Sequence, residues 1–127
     1  MIAVNEQTRA DRSAQANILV MEDEESVAKG LELVLEEEGY AVDLAINGKS
    51  AIENIQTKDF DVLVADLRLP DINGMDVIRM IRESRPDTVV VVITGYASVN
   101  SVVESMKLGA YDYLAKPFTE DQIKSTV

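Results

Sequence analysis

Five short apolar runs alternate with amphipathic segments, and this alternation is the feature that most limits the folds open to the chain. The clearest runs, at residues 17–21, 61–65 and 88–93, are rich in branched apolar side chains and are bounded by polar or turn residues. Such runs are typical of strands buried on both faces of a sheet. Because helical patterns separate them, the sequence predicts a parallel sheet covered by helices on both faces.

The predicted strands cover residues 17–21, 40–46, 61–65, 88–93 and 111–115. The predicted helices follow from apolar repeats at helical spacing: Val27, Leu31, Val34 and Leu35; Ala51, Ile52 and Ile55; Val77, Ile78 and Ile81; Val99, Val102, Val103 and Met106; Ile123 and Val127. A doubly wound sheet of this size usually has the strand order 2-1-3-4-5. We therefore expect an α/β, flavodoxin-like fold.

The length of 127 residues suits one domain with its own core. Residues 1–16 are polar and lack sustained periodicity, so we expect a flexible leader followed by a domain at 17–127. The fifth helix opens with a capping box, Thr119 with Gln122, but the sequence ends about two turns later. We expect that this helix is truncated and that the native chain continues.

Composition removes several kinds of chemistry. There is no cysteine and no histidine, which excludes disulfides, thiol nucleophiles, imidazole bases and zinc sites built on those residues. A net charge of −11 argues against direct binding to nucleic acid or anionic membranes. The sequence shows neither a signal peptide nor a long apolar span, so a cytoplasmic location is the default expectation.

Asp66 ends the third apolar run, and the chain then enters a loop containing Pro70. An acid at the carboxyl end of a buried strand lies where open α/β sheets bind their ligands. An aspartate that only forms a turn is also common at such a place. On this stretch alone the two interpretations are about even.

The expected strand order brings further polar residues to Asp66. Glu22 and Asp23 follow strand one, Thr94 follows strand four, and Lys116 follows strand five with a side chain long enough to reach back. Adjacent carboxylates repel each other unless a cation joins them, and the loop at residues 22–25 contains no basic residue. Oxygen ligands alone favour Mg²⁺, or Mn²⁺, over zinc.

These groups together indicate phosphoryl transfer. Asp66 is the central acid and the candidate nucleophile, while a metal ion and Lys116 would neutralise phosphoryl oxygens. Thr94 offers a hydrogen bond, and Gly95 leaves room for a phosphoryl group beside the backbone. Each feature alone has an ordinary explanation, such as a helix cap or a surface lysine, but their combination favours a functional site.

Four segments, at residues 18–24, 66–74, 94–96 and 116–118, resemble the receiver domain of two-component response regulators. The resemblance covers about residues 17–127 and includes every motif in order. Residues 94–118 resemble the NtrC-like branch, whose receivers often precede a σ54-activating ATPase and a DNA-binding domain, both absent from this chain.

The resemblance implies that Asp66 accepts a phosphoryl group from a sensor histidine kinase, which is a separate molecule because this chain has no histidine. It implies that Asp23, Asp66 and the backbone carbonyl of Arg68 bind Mg²⁺, with Glu22 acting through water. Such a domain is a regulatory phosphoacceptor that phosphorylates and dephosphorylates only itself, and is not otherwise an enzyme.

Further roles are implied for the other end of the site. Thr94, Lys116 and the backbone of Gly95 would hold the phosphoryl oxygens, and Thr94 with Tyr113 would form the conformational switch. The face made by helix four, strand five and helix five would then control homodimerisation or an output domain, and the implied output is transcription regulation. The resemblance also implies that Tyr96, with Arg68, tunes hydrolysis of the phospho-aspartate, and that a cis bond precedes Pro117.

Three other classes fit less well. A haloacid-dehalogenase-type phosphohydrolase carries its nucleophile after the first strand, whereas Asp66 follows the third. A flavin- or nucleotide-binding module needs a glycine- or hydroxyl-rich phosphate loop after strand one, where this chain has four acids, at residues 22–25. A degenerate receiver would have lost some of the acids, Thr94 or Lys116, and all are present.

Overall fold

The computed structural model describes residues 15–95, 99–116 and 118–127, and the backbone alone of Val99. Within them lie five strands, β1 (Asn17–Met21), β2 (Ala41–Ala45), β3 (Val62–Asp66), β4 (Val89–Thr94) and β5 (Asp112–Ala115), and five helices, α1 (Glu25–Glu37), α2 (Gly48–Thr57), α3 (Gly74–Ser84), α4 (Val99–Lys107) and α5 (Glu120–Thr126). Most of the predicted leader, the role of Tyr96 and the bond before Pro117 fall outside the described residues.

The strands form one parallel sheet in the order β2-β1-β3-β4-β5. This confirms the expected fold class and strand order. Every connection between neighbouring strands in sequence passes through a helix, as parallel pairing requires. The carboxyl ends of all five strands therefore lie along one edge of the sheet.

Two strands end one residue later than the sequence suggested, and both end on a candidate site residue. Asp66 pairs with Ile93 in the sheet, and Thr94 pairs with Ala115. The amide of Lys116 donates to the carbonyl of Thr94 at 2.9 Å, which continues the ladder past the apolar run. Asp66 and Thr94 are thus held by the sheet itself and not by flexible loops.

Local side-chain chemistry explains where several helices start and stop. Asn47 caps α2 by accepting the amide of Ser50 at 2.8 Å. The predicted capping box of α5 is present, with Thr119 and Gln122 each bonding the other's backbone. Gly39, with φ of 95°, follows α1 in the left-handed conformation that glycine tolerates best.

The core lies in two layers, one on each face of the sheet. Alternate strand residues point to opposite faces: Ile18, Val20, Val64 and Ile93 pack with α1 and α5, whereas Leu19, Met21, Leu63 and Ala65 pack with α2 and α3. All eight are fully buried. Burying one large aliphatic side chain contributes about 1.5–3 kcal/mol to the stability of the fold. These two layers therefore stabilise the sheet and hold its carboxyl edge in place.

Helix α4 does not bury the face that its apolar repeat suggested. Val103 and Met106 are 46% and 45% exposed. Among the α4 side chains that the structure describes, only Ser105 is buried, and its hydroxyl donates to the carbonyl of Ser101 at 2.7 Å. The repeat therefore predicted the helix correctly, but an apolar face of it remains open to solvent.

In the described part of the chain, no helix is long and apolar enough to cross a membrane.

Candidate functional site

A cavity of about 310 Å³ opens at the carboxyl edge of the sheet. It is lined by Asp23, Glu24, Asp66, Arg68, Thr94, Gly95 and Lys116. These residues come from the ends of β1, β3, β4 and β5, which the parallel topology brings together. Glu22 and Tyr113, the other two predicted site residues, lie outside this lining.

Three carboxylates meet beside the cavity. One oxygen from each of Glu22, Asp23 and Asp66 lies within 4.8 Å of the other two. Glu22 and Asp66 are buried, whereas Asp23 is exposed. This donor set consists of hard oxygen atoms with room on the solvent side, which suits Mg²⁺ or Mn²⁺, ions that keep several water ligands.

Lys116 reaches across the edge and lies among the acids. Its Nζ is 2.6 Å from Glu22 Oε1 and 3.0 Å from Asp66 Oδ2, with Glu24 further away at 3.4 Å. The Lys116 side chain is only 16% exposed. The sequence argument relied on a metal ion to balance these acids, but the structure shows that a lysine from the end of β5 already balances part of their charge.

Burial and ion pairing have opposite effects on the pKa values of Glu22 and Lys116. Desolvation raises the pKa of Glu22 from 4.5 to about 7, although hydrogen bonds from Lys116 and from the amide of Glu24 act in the opposite direction. For Lys116, burial lowers the pKa, but the hydrogen bonds and charges of Glu22 and Asp66 outweigh it and the net change is upward. Lys116 therefore remains positively charged at neutral pH. Its hydrogen bond and its charge lower the pKa of Glu22 and so favour the ionised form of that carboxylate.

Both carboxylate oxygens of Asp66 have partners that fix the side chain. Oδ1 accepts the amide of Arg68 at 3.0 Å, and Oδ2 contacts Lys116. The backbone behind it is equally constrained, because a Cβ at Gly74 would lie 2.7 Å from both the Asp66 carbonyl oxygen and the Leu67 Cα. Helix α3 can approach this close only because its first residue has no side chain.

Thr94 and Gly95 form the β4 side of the cavity. Thr94 is fully buried, and Gly95 is exposed next to it. A Cβ at Gly95 would meet nothing closer than the Lys116 Cβ at 3.8 Å, so the wall is open here. The structure thus brings Asp66, Thr94, Gly95 and Lys116 to one cavity, as the sequence analysis expected.

Tyr113 lies behind the site, on β5. It is half-buried against the core layer that includes α2 and α3, and its hydroxyl is 3.1 Å from the hydroxyl of Ser101 on α4. Sequence reasoning singled out Tyr113 but missed Ser101. The spacing of Ser101 and Ser105, four residues apart on one helical face, was the available signal.

Asp71, in the loop between β3 and α3, was also missed. Its carboxylate accepts the amides of Gly48 and Lys49 at 2.8 and 3.0 Å, and these hydrogen bonds lower its pKa. In the sequence it follows Pro70 and resembles an ordinary turn residue. Only the folded chain shows that it joins this loop to the start of α2.

Comparison with known proteins identifies the same architecture elsewhere. The family model described as response regulator receiver domain matches residues 18–127. The transcriptional regulatory protein ZraR of Klebsiella oxytoca is 37% identical over 113 residues, covering 89% of this chain and 26% of that protein. The chain thus spans about a quarter of the length of this relative.

Two solved structures show the likeness in three dimensions. A CheY-like receiver domain protein from Methanospirillum hungatei JF-1 superimposes with a TM-score of 0.85 at 28% identity, covering 87% of this chain and 89% of that one. The beryllofluoride-activated NtrC4 receiver domain dimer gives a TM-score of 0.82 at 43% identity, covering 87% and 91%.

Proposed function

The chain belongs to the response regulator receiver domain family, and on that premise we propose that Asp66 accepts a phosphoryl group from a sensor histidine kinase in a Mg²⁺-dependent reaction. The observation that carries this proposal is the placement of Asp66, buried at the end of β3 with Lys116 Nζ 3.0 Å from its Oδ2. A carboxylate fixed beside a cation at the floor of an open cavity is suited to attack an incoming phosphoryl group.

In the transfer, a carboxylate oxygen of Asp66 attacks phosphorus and forms a P–O bond. The P–N bond of the donor's phosphohistidine breaks, and its electron pair leaves on the imidazole nitrogen. The product on this chain is an acyl phosphate. Lys116, which pairs with Asp66 before transfer, pairs with a phosphoryl oxygen afterwards, and Thr94 and the backbone of Gly95 hydrogen-bond the remaining oxygens.

A magnesium ion would supply further charge neutralisation at the phosphoryl oxygens. We assign its binding to the carboxylates of Asp23 and Asp66 and the backbone carbonyl of Arg68, with Glu22 acting through water. The clustering of three acid oxygens within 4.8 Å supports this set. The 2.6 Å contact with Lys116 gives Glu22 a second task, because its negative charge also holds the lysine near Asp66.

Phosphorylation would then act at the face formed by α4, β5 and α5. Thr94 moves toward the phosphoryl group, Tyr113 changes position, and α4 shifts with them, which is a bistable element biased by local charge. The exposed Val103 and Met106 on α4 support homodimerisation through this face. The similar NtrC4 receiver is a dimer in its beryllofluoride-activated form.

The output would be transcriptional regulation, as the name of ZraR indicates for that relative. The 43% identity to the NtrC4 receiver supports assignment to the NtrC-like branch. Receivers of that branch often precede a σ54-activating ATPase and a DNA-binding domain, which would be the output of this chain on the proposal. On this proposal the chain is a regulatory phosphoacceptor, and its only reactions are its own phosphorylation and dephosphorylation.

The test is modification by a small phosphodonor. Acetyl phosphate with Mg²⁺ should add the mass of one phosphoryl group to the intact protein, and Asp66→Asn should prevent the addition. Asp76→Asn is the matched control, because Asp76 is an exposed acid on α3 that pairs only with Arg79 among the salt bridges in the described residues. A wild-type protein that stays unmodified with Mg²⁺ present, or an unaffected Asp66→Asn variant, contradicts the proposal.

A further inference from the structure

The loop between β3 and α3 is tied to a helix that takes no part in the site described above. Asp71 Oδ1 accepts the amide of Gly48 and Oδ2 accepts the amide of Lys49, at 2.8 and 3.0 Å, across more than twenty residues of sequence. Oδ1 also accepts the amide of Ile72 at 2.9 Å. One exposed carboxylate therefore joins the loop that follows Asp66 to the first turn of α2.

The junction is tight as well as hydrogen-bonded. A Cβ at Gly48 would lie 2.8 Å from the Cβ of Ile72, so the loop packs directly on the α2 backbone. At its other end the loop closes on itself, where the amide of Gly74 donates to the carbonyl of Leu67 at 3.1 Å. Between these anchors lies Arg68, whose amide bonds Asp66 Oδ1.

The ordinary explanation is that Asp71 only caps α2. A helix start leaves amides without partners, and an acid there is favoured by the helix dipole. However, α2 already has its own cap, because Asn47 accepts the amide of Ser50 at 2.8 Å. The two acceptors differ in one respect: Asn47 belongs to α2, whereas Asp71 belongs to the loop that positions Arg68.

Apolar packing is the other way to hold this loop. Leu67, Leu69 and Ile72 are partly buried against the core layer on that side of the sheet. Such contacts keep the loop close to the sheet but do not set its orientation, because apolar attraction has no direction. Hydrogen bonds from two successive amides to one carboxylate fix both position and orientation.

We propose that Asp71 is a positioning residue for the phosphoryl chemistry of Asp66. By joining the β3–α3 loop to the α2 N-terminus, Asp71 holds Arg68 where the Arg68 amide orients the Asp66 carboxylate and where the Arg68 carbonyl would bind the metal ion. This inference rests on the proposed function. It extends the site to α2, which the sequence analysis treated only as scaffold.

The experiment compares Asp71→Ala with Asn47→Ala, since each removes one acceptor from the same helix start. Two quantities are measured for each variant: hydrogen exchange of the Arg68 amide in metal-free protein and Mg²⁺ affinity by calorimetry. Asp71→Ala should speed exchange at Arg68 and weaken Mg²⁺ binding by about threefold to tenfold, below the effect of losing a direct partner of a ligand. Asn47→Ala should lower Tm and leave both quantities unchanged.

Asp71→Asn keeps one acceptor oxygen, so its exchange rate at Arg68 and its Mg²⁺ affinity should lie between those of the wild type and Asp71→Ala. This variant tests the inference if Asp71→Ala does not fold. The inference would be overturned if both Asp71 variants had a lowered Tm but kept wild-type exchange at Arg68 and wild-type Mg²⁺ affinity. That result would show that Asp71 is only a helix cap. Failure of acetyl phosphate to modify the wild-type protein would instead overturn the proposed function. The exchange measurement needs no metal or phosphodonor, so the two failures are distinguishable.

Discussion

Helices α3 and α4 lie on the same side of the sheet and follow neighbouring strands, yet they are attached to it in different ways. α3 buries four apolar side chains, Met75, Val77, Ile78 and Ile81, together with Gly74. Among the described side chains of α4, only Ser105 is buried, and the apolar Val103 and Met106 face solvent. The described side chains of α3 are held by apolar burial, whereas those of α4 bury little apolar area and include the hydroxyl pair of Ser101 with Tyr113.

The difference separates two tasks. Helix α3 starts against the backbone of Asp66, so a rigid attachment keeps the proposed phosphoacceptor in place. Helix α4 follows Thr94 and contacts Tyr113 through Ser101, and on the proposed function a weaker attachment would let it change position at low cost. The free energy gained by apolar burial grows in proportion to the area buried. One hydroxyl pair contributes only about 0.5–1.5 kcal/mol. On the proposed function, a bound phosphoryl group can offset a contribution of that size.

The largest expected effect tests the α3 side of this comparison. Ile78→Ala should lower the free energy of unfolding by about 2–5 kcal/mol, because it removes fully buried methyl groups and leaves a cavity. Met106→Ala on α4, where the side chain is 45% exposed, should change it by less than about 0.5 kcal/mol. Urea denaturation measures both, and equal losses would refute the distinction between the helices.

A smaller effect is expected where α4 meets Tyr113. Tyr113→Phe removes one hydroxyl of the 3.1 Å pair with Ser101 and should cost about 0.5–1.5 kcal/mol. Amide hydrogen exchange should rise on α4 and stay unchanged on α3. Adding Ser101→Ala should cost less than the sum of the two single changes, because the pair is already broken. Additive losses, or exchange that rises equally on both helices, would contradict this role.

The smallest effect on folding is expected at the exposed face of α4. Met106→Gln should leave the free energy of unfolding within about 0.5 kcal/mol of wild type. The same change should weaken self-association of beryllofluoride-treated protein in sedimentation, since it removes apolar area from the proposed dimer face. Leu33→Gln is the matched control, because Leu33 is 61% exposed on α1, on the other side of the sheet. Equal association of the Met106→Gln and wild-type proteins would argue against that face.

The sheet was predictable because its signals are local. The apolar runs of β1, β3 and β4 are dense enough to mark buried strands, and the order of five such strands has one common solution. The ends were not predictable to the residue, since Asp66 and Thr94 are polar yet still belong to the ladder. Strand length depends on backbone pairing with neighbours, which a polarity pattern does not contain.

The sequence predicted which residues lie together at the candidate site, but not which of them contact each other. Asp66, Thr94 and Lys116 were placed together from the strand order alone. The contact between Lys116 and Glu22 joins residues 94 positions apart, and Asp71 reaches α2 across 22 and 23 positions. Such partners depend on loop paths and side-chain reach, which only the folded chain fixes.

The close contact at Gly74 has a consequence for recombination between relatives. An ideal Cβ built on Gly74, the first residue of α3, would lie 2.7 Å from the carbonyl oxygen of Asp66, the proposed phosphoacceptor. A chimera whose crossover falls inside residues 66–74 would combine a strand end from one parent with a helix start shaped for another. This stretch should therefore be exchanged as one block, and chimeras that divide it should lose soluble expression more often than those joined in α2 or α5.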